Sequence, residues 1–139
     1  MSGKLISRIL IASAALALVW ACAPTNMPKS GAALFRQNCA SCHGNNGAGN
    51  GPMAAELPVR PANLRTLSAN NGGVFPAEAT MATIYGYRGK DTQGLMPEFG
   101  PVLDSPPVIW IAPDGREILT PSALVDLTNY LETLQDKAS

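Results

Sequence analysis

The stretch "NCASCHGN", Asn38 to Asn45, holds two of the chain's three cysteines and its one histidine. Cys39, Cys42 and His43 fall within five consecutive residues, little more than one turn if the segment is helical. Around this cluster the 139-residue chain is rich in glycine (13) and proline (12). That composition suits short helices joined by ordered loops better than a bundle of long helices or a β-sandwich. The length allows one domain with a single small core, which needs something further to fold around.

The N-terminus reads as an export signal. Lys4 and Arg8 form a basic start, and Ile9 to Ala21 is apolar apart from Ser13, a run too short to span a bilayer. The run ends in "VWAC", which resembles the bacterial lipobox, whose cysteine becomes the lipidated first residue of the mature protein. Residues 1–21 are therefore expected to be removed, with Cys22 lipidated and residues 22–29 tethering the domain to a membrane surface at the periplasmic face. The competing reading is ordinary cleavage after Ala21, Cys22 and Ala23, giving a soluble periplasmic protein; Pro24 directly after that cut disfavours it. Lipidation also accounts for the odd cysteine of an exported protein.

Charged residues are only 14% of the chain, and ten basic side chains balance ten acidic ones, which points away from nucleic acid as a partner. The acid is uneven. Asp104, Asp114, Glu117, Asp126, Glu132 and Asp136 face only Arg116 and Lys137 beyond Pro101.

In an exported protein, C-x-x-C-H is the attachment signature of a covalent haem c. Two thiols one helical turn apart add to the two vinyl groups of the porphyrin, and the next residue presents its imidazole to the iron. A thioredoxin-like disulfide would open a helix after a strand, and no strand is expected before Asn38. A zinc site would need further Cys or His ligands, which the sequence lacks after His43. With the histidine used, a thioether is the natural second axial ligand. Met96 lies 53 residues beyond His43 in a loop and precedes a stiffening proline, whereas Met53 is too near His43 and Met81 falls in an expected helix where methionine fills core space.

With "CASCH", "GPMAAELPVRPANL", "LMPEFG" and "LTNYL" in place, the protein resembles the class I monohaem cytochromes c from about Ser30 to Gln135. The resemblance implies a mostly α fold of about four short helices around one haem, over residues 30–136. It implies that Gly31 and Phe35 on the first helix pack against Tyr130 on the last, and that a proline carbonyl, by position that of Pro52, accepts the Nδ1 hydrogen of His43. It also implies an electron carrier rather than an enzyme, exchanging electrons with respiratory redox proteins, either as a tethered carrier or as a subunit of an oxidoreductase. The alternative function is binding or turnover of nitric oxide or peroxide at an open iron, which requires Met96 to be off the metal.

The element pattern runs from Ser30 as N-cap into "GAALFRQNC", through weak helical signals at "MAAELP" and at "PANLRTL" with Pro61 leading, to a helix over "PAEATMATIYGYR". Residues 101–119 depart from the family pattern as an inserted β-hairpin around the turn Pro113 to Arg116, with Trp110 covering core or haem edge. The last helix is predicted to start with Thr120 as N-cap and Pro121 as first helical residue, with Leu124, Leu127, Leu131 and Leu134 on one face.

Overall fold

The computed structural model describes residues 30–86 and 96–137. The expected export signal, Cys22, the expected tether, Tyr87 and Arg88 lie outside the described residues. The first helix, α1 (Gly31–Asn38), starts where the Ser30 hydroxyl accepts the Ala33 N–H at 3.3 Å, satisfying one of the amides that a helix start leaves free. Cys39 ends α1 and opens α2 (Ala40–His43), so the cysteine-histidine cluster sits at a bend between two helices. The third helix, α3 (Ala77–Tyr85), places Glu78 in its first turn and stops at Gly86. A hairpin of β1 (Pro107–Ile111) and β2 (Glu117–Pro121) precedes α4 (Ser122–Thr133).

Apolar residues three and four apart turn one stripe of each helix inward. Leu34 and Phe35 of α1, Met81 and Ile84 of α3, Leu103, and Leu124, Leu127 and Leu131 of α4 form one buried core. Methionine 81 fills core space, as its helical position suggests. The closest approach is between α1 and α4. A Cβ on Gly31 would collide with the carbonyl of Asp126 and come within 2.8 Å of the Tyr130 Cβ, so only glycine allows this contact. One turn along, the Phe35 and Tyr130 rings meet with centroids 5.5 Å apart at a tilt of 52°, a favourable aromatic geometry that buries Phe35 completely.

The hairpin forms as the sequence pattern suggests, with Val108 opposite Thr120 and Trp110 opposite Ile118. Alternation puts half-buried Trp110 and buried Thr120 on the face packed against the core, leaving Ile109, Ile111 and Leu119 exposed on the other. Arg116 donates to Asp114 at 2.6 Å and to Glu78 at 2.9 Å, joining the turn to the start of α3. The Arg116 side-chain bond to Asp114, with the Arg116 backbone N–H donating to the same carboxylate, holds the Asp114 carboxyl below its ordinary pKa.

Three local expectations change. The last helix starts one residue later than predicted: Thr120 and Pro121 end β2, and the Thr120 hydroxyl turns back to the Ile118 carbonyl. Its cap comes from a distant part of the sequence, the Ser105 hydroxyl accepting the Ala123 N–H at 3.0 Å and the Pro106 carbonyl accepting from Ser122. At "PANLRTL" the structure is a short 3-10 turn, Leu64–Thr66, capped by Asn63 rather than led by Pro61. "MAAELP" makes successive turns and no helix, its Ala54 and Glu56 amides each bonding three residues back, to Gly51 and Met53.

Replacing Gly31 with Ala should lower holoprotein stability by about 1–3 kcal/mol, the usual cost of overpacking a close contact. Denaturant unfolding followed by far-ultraviolet circular dichroism measures it, and an unchanged midpoint would show that α1 and α4 can separate without cost.

Candidate functional site

Helical geometry brings the cluster to one side: His43 and Cys42 both return their N–H groups to the Cys39 carbonyl, at 2.9 and 3.2 Å. A helix of four residues leaves its C-terminal carbonyls without partners. The glycine-rich loop that follows supplies them, Gly49 N–H to His43, Gly51 N–H to Cys42 and Met53 N–H to Ser41, at 2.8–3.0 Å. The loop is therefore ordered, and its glycines let it lie against α2. Gly49 has φ of 75° and would drive a Cβ into the Pro61 carbonyl and to 3.2 Å from that of Ala62, so glycine is needed there on both counts.

The backbone returns across His43 at Pro61 and Ala62. The His43 Nδ1 lies 2.9 Å from the Ala62 carbonyl oxygen, so this nitrogen carries the hydrogen and Nε2 is left with its lone pair. This corrects the expectation for Pro52. Gly51 is bound to the Cys42 carbonyl, which keeps Pro52 at the exposed edge of the loop, and the acceptor comes ten residues later. A backbone carbonyl belongs to every residue type, so no side chain at position 62 announces it. The available signal was the adjacent "PANL", in which a proline fixes the backbone just before the acceptor.

Cys39, Cys42, His43 and Met96 all line one cavity of about 220 Å³. Its walls are largely apolar, with Leu57, Pro97 and Phe99 among them, and exposed Val59 and Arg60 stand at its rim. His43 itself is buried. The Met96 segment is positioned from α3: the Phe99 N–H donates to the Ile84 carbonyl at 3.0 Å, and Gly100 packs on the Tyr85 carbonyl. Burial, together with the charge of Cys42, pushes the Cys39 thiol up to about 11, so before attachment it is a neutral apolar wall group at neutral pH. Trp110 and Tyr85 do not line the cavity; both pack beside the core. Gly31, Phe35 and Tyr130 act at a distance from the cavity, setting how α1 delivers Cys39.

These residues fit a covalent haem. Two unpaired thiols would take the vinyl groups, an imidazole with one nitrogen already engaged would present the other, and a thioether shares the cavity. The fold and this site are those of a small domain able to hold one covalent haem. A family model described as Cytochrome c matches residues 28–135, and the protein belongs to the cytochrome c family, whose members bind covalently attached haem c, typically one per domain. Neither the curated proteins nor the solved structures gave a match. Membership carries haem-based electron transfer as the general chemistry, and members are generally carriers rather than enzymes.

With Cys39 replaced by Ala, haem should remain attached through Cys42 after denaturation and acid extraction; with both cysteines replaced it should be extracted. Mass spectrometry of the intact protein decides between these outcomes. Haem retained in the double variant would mean that another side chain forms the bond.

Proposed function

We propose that this protein is an electron carrier whose haem has His43 and Met96 as axial ligands, tethered by lipid at Cys22 to the periplasmic face of a membrane and serving respiratory redox proteins. The observation that carries this reading is the meeting of His43 and Met96 at one apolar cavity, with His43 already oriented by Ala62. The haem iron, alternating between ferric and ferrous, supplies the one-electron chemistry. The protein's own part is ligation and shelter. The Ala62 carbonyl draws on the Nδ1 hydrogen and makes the imidazole a stronger donor. The thioether of Met96 favours the reduced state and raises the potential. Leu57, Pro97 and Phe99 keep water from the cavity, while the rim at Val59 and Arg60 offers a partner a route to its edge.

The tether follows from "VWAC" and the apolar run before it. Among the described residues no helix is long and apolar enough to cross a membrane.

The ferric protein should show the weak far-red band of sulfur on haem iron, and after reduction the ferrous protein should not respond to carbon monoxide. Met96→Ala should abolish the band, lower the potential and open the iron to the gas. An unchanged spectrum would move the ligand role to another residue, and ready gas binding by the parent protein would favour the small-molecule reading. Cys22→Ser should move the protein from the membrane to the soluble fraction; retention on membranes would count against lipidation.

A further inference from the structure

We propose that Gln135, just beyond α4, is a positioning residue for His43, acting through the segment Ala62 to Ser68 that supplies the imidazole's acceptor. The proposal deepens the functional reading and rests on His43 being a haem ligand. Gln135 uses its whole amide across this segment. Its Oε1 accepts the Ser68 N–H at 2.9 Å, and its Nε2 donates to the Leu64 carbonyl at 2.7 Å and to the Leu131 carbonyl of α4 at 2.8 Å. The orientation of the amide is forced, since an N–H requires the oxygen and two carbonyls require the nitrogen. The next backbone amide adds a fourth contact, Asp136 N–H to the Arg65 carbonyl at 2.9 Å.

The clamped peptide is two residues from the acceptor. Leu64 is held on both sides, its N–H by the Gly47 carbonyl at 2.7 Å and its carbonyl by Gln135. Before Ala62 stands Pro61, whose ring fixes φ. Between those two restraints the Ala62 carbonyl has little freedom to swing away from Nδ1. The segment itself is a 3-10 turn of three residues, too short to hold its own position. Its fixed reference is α4, which packs on α1, and α1 ends at Cys39. Gln135 therefore connects the acceptor of His43 to the same framework that carries the attachment cysteine.

The test is Gln135→Met in the intact haem protein, which keeps length and apolar bulk and removes the amide. Proton NMR of the ferrous protein follows exchange of the His43 Nδ1 hydrogen, and voltammetry follows the potential. Exchange should quicken by roughly tenfold or more, as expected when bonds of ordinary net strength holding the segment are lost. The potential should rise, because a less firmly bonded imidazole donates less to the ferric iron. Leu124→Val, a core change in α4 away from the segment, should lower stability without moving either reading. Exchange and potential equal to the parent's in Gln135→Met, with only a lowered unfolding midpoint, would overturn the proposal. Failure of the underlying reading looks different: His43 ring protons in the parent protein would lack the ring-current shifts of an iron ligand.

Discussion

The orientation of one buried imidazole is the constraint around which this small domain is arranged. His43 sits at the end of a helix only four residues long, which cannot hold a side chain in place by itself. Its nitrogen Nδ1 is engaged by Ala62, and its surroundings are completed by segments from most of the domain. Three carbonyls at the end of α2 are met by amides of the glycine-rich loop, and that loop in turn supports the Pro61–Ala62 return through the close contact at Gly49. A polar ring in an apolar pocket is tolerable only when its hydrogen-bonding groups have partners, and the fold supplies one side while leaving the other nitrogen for a metal.

The rest of the domain brings the cavity walls to this ring. The Gly31 contact and the Phe35–Tyr130 pair fix α1 on α4, which sets the position of Cys39. The end of α3 positions Phe99 and with it the approach of Met96 to the cavity. The hairpin, the departure from the usual family pattern, packs Trp110 against the core rather than into the cavity and ties its turn to α3 through Arg116. It therefore bears on the site indirectly, by covering the elements that shape it and by leading into Ser122 at the start of α4.

Much of this was legible in the sequence. C-x-x-C-H is read from covalent spacing, the first helix from Ser30 and its apolar stripe, the hairpin from "VIWIAPDGREIL", and the last helix from its leucines, because each signal lies within a few residues of the element it specifies. Two of the misplacements share one cause. Pro52 was expected as the acceptor where Ala62 serves, and Thr120 was expected as a cap where Ser105 serves. In both cases the missing group is supplied from a distant segment, by a backbone carbonyl in one and by a hydroxyl eighteen residues upstream in the other. Local pattern cannot choose among remote partners of equal chemistry.

The sequence by itself determined the chemistry the domain can carry: two thiols, one imidazole and a Met-Pro loop, in a protein too glycine-rich to build a large core without a group to fold around. Tertiary structure decided which carbonyl holds the imidazole, how the turn after Ala62 is tied to α4, and that Met96 reaches the same cavity as His43. The physical reason is that covalent attachment depends on spacing along the backbone, whereas the direction of a hydrogen bond depends on where the backbone returns, and only packing sets that.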